Sequence, residues 1–140
     1  METICKASAA LCGAVVSFIT GIPVILWVLL GVMTLDYITG LVGAAAGVSD
    51  KTDGGHLSSR AAFAGLMRKV MVLLVVLLAV LLDFAVRCSA GVEFSAVTGA
   101  TCLWFIAGEG VSILENAAAL GLPIPAVLLR ALESMKDTAG

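Results

Sequence analysis

Charge is scarce in this chain. Lysine and arginine number eight and aspartate and glutamate ten, so charged residues are 13% of 140, against 61% hydrophobic. The mean hydropathy of +1.13 lies well outside the soluble range. A formal charge of −2 is too small to suggest nucleic acid or a strongly steered partner. Cys5, Cys12, Cys88 and Cys102 form no CxxC pair, and the single histidine, His56, stands apart in a glycine-rich loop. The cysteines therefore read as small apolar residues, not as a metal site or disulfide frame. There is no nucleophile elbow, phosphate-binding glycine loop or metal-ligand cluster. These lacks point away from an enzyme and from a cofactor.

What the chain has is apolar length. From Ile4 to Val48 it carries only two charged side chains, Lys6 and Asp36. A membrane helix needs about 20 mostly apolar residues to cross roughly 30 Å of hydrocarbon, so this stretch has room for two crossings. Two more apolar runs follow. The expected fold is an all-α integral membrane protein with three to four transmembrane helices near 7–20, 24–48, 61–86 and 94–116. A C-terminal amphipathic helix is expected at 126–136. The water-facing segments are too short to hold a core, so 1–140 reads as a single membrane domain.

Punctuation sets the boundaries. Gly21-Ile22-Pro23 removes a helix donor and relaxes the backbone, dividing the first long stretch. The segment before it is barely long enough to cross, so a re-entrant or interfacial course stays open for it. No cleavable signal peptide is expected, because the apolar stretch does not stop where a cleavage site should end it. Residues 49–59 form a polar loop, and Gly121-Leu122-Pro123-Ile124-Pro125 breaks the chain before the last helix. Half of the eight basic residues, Lys51, Arg60, Arg68 and Lys69, lie in that loop or the helix start after it. The positive-inside rule then makes the loop 49–59 and the tail 117–140 cytoplasmic, with the 87–93 turn outside. The N-terminus is inside with four crossings and outside with three.

Polar residues at membrane depth are expensive and need a partner, a proton or water. Asp36 is about midway along its helix, on one face with Thr39, Gly43 and Gly47, and with Gly40 beside that stripe. Small residues at this spacing let helices approach closely. Asp36 therefore either hydrogen-bonds across a packed helix pair or faces a lumen or subunit interface. Glu109, Ser112 and Asn116 repeat the pattern on a later helix, with Glu115 beside them. Asp83 and Arg87, four apart, are expected to pair at surface level. Arg68 and Lys69 are expected to snorkel to the inner headgroups, and with Arg60 and Trp27 to anchor the chain at the interface, while Trp104 sits too deep for that and packs. On the last helix Val127, Leu128, Ala131, Leu132 and Met135 share one face, and Arg130, Glu133, Ser134 and Asp137 the other. That helix either lies on the inner membrane surface or offers a docking face to another copy or a regulator.

The motifs, in order, resemble the phage lysis and toxin-secretion holin family. Asp36-Tyr37-Ile38-Thr39-Gly40 looks like that family's motif in an early transmembrane helix. Ser58-Ser59-Arg60 with Gly65-Leu66-Met67-Arg68-Lys69 resembles its lead into the next helix. Most specific is Glu109-Gly110-Val111-Ser112-Ile113-Leu114-Glu115-Asn116 with Gly121-Leu122-Pro123-Ile124-Pro125 just behind it. Gly108 departs from the asparagine expected before the glutamate, and the tail lacks a dense basic cluster. The resemblance implies a homo-oligomer in the bacterial cytoplasmic membrane that opens lesions and so serves an endolysin or a toxin indirectly, with an antiholin as a further partner. Rival readings are an antiholin or passive membrane scaffold, and a small multidrug transporter. The transporter is disfavoured because its key glutamate normally sits in the first helix, which here has none.

Overall fold

The computed structural model describes Lys6 and residues 21–49, 58–91 and 95–139. The helix expected at 7–20 lies outside the described residues, as do His56 and most of the polar loop. The described residues hold four helices: α1 (Val24–Ala45), α2 (Ser59–Ala90), α3 (Ala96–Ala119) and α4 (Ala126–Ala139). The first three are long and apolar enough to cross a membrane. The fold is all-helical, as the hydropathy pattern requires.

Local chemistry explains the ends. α1 starts directly after Pro23, whose carbonyl accepts the Leu26 amide at 3.0 Å. It stops at Ala45 because Gly47 takes a left-handed conformation, φ +74°. The Gly47 amide then bonds Ala44 O at 3.2 Å and Val48 bonds Gly43 O at 3.0 Å, which satisfies two orphan carbonyls. Gly47 was expected inside the helix on the Asp36 stripe; it terminates the helix instead. The same pair of bonds closes α3, where Gly121 has φ +82° and Gly121 and Leu122 donate to Ala118 O and Ala117 O. α2 runs longer than the expected 61–86, reaching Ala90 before Gly91 ends it at φ +66°.

α3 is the centre of the bundle. α1 and α4 pack along it most extensively and α2 less so, while α1 and α2 touch each other only slightly. A small core forms where Leu29 and Met33 of α1, Val76 of α2, and Cys102 and Ile106 of α3 meet. Cys102 is fully buried there and packs as a small apolar residue. The outer faces carry Leu35, Ile38, Leu66, Leu74, Leu77 and Leu81, all exposed. In water such surfaces would drive aggregation, whereas in hydrocarbon they are solvated.

Two elements differ from expectation. Asp83, expected to pair with Arg87 at surface level, does lie within reach of that arginine's charge but is buried at 4% exposure. Its Oδ2 accepts the Thr98 amide at 2.8 Å and its Oδ1 the Val97 amide at 3.2 Å. A carboxylate from α2 thus satisfies two free amides in the first turn of α3 and complements its dipole. The second difference is the tail. Expected on the inner membrane surface or as a docking face for a partner, α4 instead turns back after Gly121 and runs antiparallel along α3. Leu132 fits against Gly110, Lys136 Nζ lies 5.0 Å from the Trp104 ring centroid, and Ala139 shares a shallow pocket with Ala96 and Val97.

Candidate functional site

Five described polar residues at membrane depth converge on one cluster built from three helices. α1 contributes Asp36 and Thr39, one turn apart. α3 contributes Glu109 and Asn116, seven residues apart and so on the same face after two turns. α2 contributes Lys69. Its ammonium, a donor of three bonds, sits between the two carboxylates: 2.8 Å from Asp36 Oδ2 and hydrogen-bonded to Glu109 Oε2. The three charged side chains are only 13–14% exposed.

Asn116 completes the arrangement from below. Its amide Nδ2 donates to Thr39 Oγ1 at 3.0 Å and to Asp36 Oδ1 at 3.2 Å. Thr39 in turn donates to the Asp36 carbonyl at 3.0 Å. Asp36 therefore receives a lysine on one oxygen and an asparagine on the other. Among the described residues no buried side-chain nitrogen or oxygen lacks a hydrogen bond. Carboxylates, lysine and amide form one connected network, the condition under which buried charge is tolerable.

The cluster forms the floor of a cleft of about 470 Å³ between α1 and α2. Gly40 and Ala44 line one wall and Ala61, Ala62 and Gly65 the other, so small residues hold the mouth open. Ser112, Glu115 and Arg68 also face this space. The structure thus brings Asp36, Gly40, Glu109, Ser112 and Glu115 to one cleft and ties Thr39 and Asn116 to its base. Gly40 lies close to α3, where an added Cβ would stand 3.6 Å from Asn116 Nδ2. Gly43 is buried but has nothing within 4 Å of such a Cβ, and Gly47 is in the turn.

Lys69 corrects the sequence reading most. Expected to snorkel to the headgroups, it turns inward and neutralises one of the two carboxylates. A helical lysine beside an arginine carries no local sign of its direction. The signal lay in the two distant carboxylates, for which some cation had to be found. Arg60 and Arg68 are exposed, and Trp27 is exposed on the first turn of α1. Trp104, expected to pack, is 44% exposed beneath Lys136. Asp83, missed as a site residue, caps the first turn of α3 from α2. Chemically the cluster offers charge and hydrogen bonds at membrane depth. Among the described residues no group of histidine, cysteine and carboxylate side chains could hold a metal ion.

A family model described as a bacteriophage holin family matches residues 13–137. The chain is 38% identical to an uncharacterized protein of Halalkalibacterium halodurans, over 97% of this chain and 96% of that one. It is 36% identical to an uncharacterized protein of Clostridium acetobutylicum, over 80% and 81% of the two chains. It is also 37% identical to a protein of Bacillus phage phi105 named a probable holin, over 74% of this chain and 70% of that one. No solved structure matches the chain.

Proposed function

The chain belongs to the bacteriophage holin family, and on that premise we propose that it self-associates in a bacterial cytoplasmic membrane and opens lesions there. Through these lesions an endolysin, or a secreted toxin, leaves the cytoplasm. It is a membrane protein and not an enzyme.

The observation that carries the reading is the Asp36–Lys69–Glu109 cluster beneath a cleft that is open among the described residues. Within one copy every member of the cluster is hydrogen-bonded and Lys69 offsets one of the two carboxylate charges, which lowers the cost of a dispersed chain in lipid. The cleft above them is a different matter. It is lined by Arg68, Ser112 and Glu115 at or near membrane depth, and Arg68 and Glu115 are exposed there. Acyl chains are a poor solvent for such groups. Copies that meet cleft to cleft, or that keep the space wet between them, remove this mismatch. Each polar contact in a membrane is worth only about 0.6–2 kcal/mol, so few-copy contacts are transient and dense arrays persist. That combination gives a protein that accumulates quietly and assembles above a threshold density. Asp36, Thr39, Gly40, Gly43, Gly47, Glu109, Ser112, Glu115 and Asn116 are the residues proposed to govern assembly. Loop 49–59 lies on the cytoplasmic side in this reading, as its basic residues favour, and the tail 117–140 starts on the same side after two further crossings.

Reconstitution tests it. Purified chain in vesicles of phosphatidylethanolamine and phosphatidylglycerol should release a trapped protein-sized dye conjugate steeply above a threshold protein-to-lipid ratio. Release that rises linearly from the lowest ratio, or none at any ratio, contradicts threshold assembly. The second outcome moves the weight to an antiholin or a passive scaffold.

A further inference from the structure

α4 sits where its composition does not allow lipid on its outer side. Leu132 meets Gly110, near the middle of α3, and Lys136 lies over Trp104, one to two turns nearer the other end. α3 is itself a candidate span, so α4 lies at hydrocarbon depth along it. At 14 residues it is about 21 Å long, and it is not among the helices long and apolar enough to cross. Leu132 and Met135 turn towards α3, whereas Arg130, Glu133 and Asp137 point away and are exposed. Among the described residues these three make no ion pair. Charged side chains facing acyl chains at this depth are strongly disfavoured.

The docking contacts are nevertheless specific. A Cβ added at Gly110 would stand 2.8 Å from Leu132 Cδ2, so the glycine makes the notch that Leu132 fills. The Lys136 ammonium is 5.0 Å from the Trp104 ring centroid, within cation–π range. Gly121, at φ +82°, makes the reversal that brings the helix back.

We infer that docked α4 is the water-lining element of the assembled lesion, with Arg130, Glu133 and Asp137 facing a lumen enclosed by copies of this chain. The inference rests on the lesion-forming reading and deepens it. Before assembly α4 lies on the inner membrane surface, with Val127, Leu128, Ala131, Leu132 and Met135 in the acyl boundary. That position satisfies both faces of the helix without a lumen. Docking on α3 becomes favourable once water replaces lipid on the outer side. Assembly and docking are therefore coupled: each copy that joins adds a charged stripe to a wet wall.

The test locks α4 in place. In a full-length chain with Cys5, Cys12, Cys88 and Cys102 replaced by serine, one variant carries Gly110→Cys with Leu132→Cys. A second carries Trp104→Cys with Lys136→Cys, so that a folding defect in one pair does not decide the matter. Each is reconstituted in phosphatidylethanolamine–phosphatidylglycerol vesicles with trapped dye, oxidised or kept reduced. The expected result is closure of the disulfide in releasing vesicles and release undiminished by it. A disulfide that abolishes release, restored by reductant, overturns the inference and makes docked α4 a closed state. Failure of both pairs to close in releasing vesicles also overturns it. Wild-type chain that releases no dye overturns instead the lesion reading on which the inference rests.

Discussion

Replacing Lys69 by methionine removes the cation from between Asp36 and Glu109 and keeps a side chain of similar reach. In the native chain that ammonium is 2.8 Å from Asp36 Oδ2 and bonded to Glu109, with 13% of the lysine side chain exposed. Removing one partner of a buried ion pair costs about 3–5 kcal/mol, because the remaining charge keeps its desolvation penalty. Two effects reduce the cost here. The cleft opens to one side of the cluster, so some water reaches the carboxylates. Separated helices in lipid also find other partners, which is why measured polar contacts in membranes average only about 0.6 kcal/mol. Charge outweighs both: a carboxylate at the centre of a membrane helix costs about 2.5–3.5 kcal/mol, and the variant holds two without a cation. The expected loss is about 3 kcal/mol, roughly a hundredfold in the helix-association equilibrium. Titration of the detergent-solubilised chain with dodecyl sulfate, read by Trp27 and Trp104 fluorescence, measures it. The variant Asp36→Asn, Lys69→Met, Glu109→Gln carries no charge in the cluster and should recover most of the loss. Lys69→Met within about 0.5 kcal/mol of wild type, or a triple variant no better than the single, would refute the reasoning.

Three further outcomes are expected. Asp36→Asn keeps an acceptor for Asn116 and should retain dye release at a raised threshold, whereas Asp36→Leu loses both partners and should be far more impaired; unaltered release in both removes Asp36 from the mechanism. Asp83→Ala uncaps the start of α3 at a cost of about 1–2 kcal/mol, visible as faster amide exchange at Val97 and Thr98; unchanged protection there contradicts the capping role. Gly121→Ala places a side chain at φ +82°, costs about 1 kcal/mol and should weaken disulfide closure between α3 and α4; full-rate closure argues that the turn does not direct the docking.

Much of the fold was legible because a bilayer imposes a simple rule: apolar length reads as a crossing. α1, α2 and α3 fall within a few residues of the expected segments, and Pro23 and the Gly121–Pro125 stretch mark the breaks. Helix ends were less legible where a glycine sets them, since Gly47 on a small-residue stripe looks the same as Gly47 in a left-handed turn. The two polar stripes were visible by spacing, and with them the possibility that Asp36 bonds across a helix pair. Their common partner was not. Periodicity says which residues share a face of one helix, but not which way Lys69 reaches or that Asp83 crosses to the next helix. Those are tertiary facts, decided by how three helices cross. The place of α4 was hidden for the same reason: its amphipathic pattern fits a membrane surface and a partner helix equally well.

The most direct measurement is controlled expression of the chain in a bacterium that also holds a muralytic enzyme in its cytoplasm, with turbidity and membrane potential followed together. Abrupt lysis that needs both proteins and coincides with depolarisation is the predicted result. Intact, polarised cells despite full accumulation of the chain in the membrane would contradict the account.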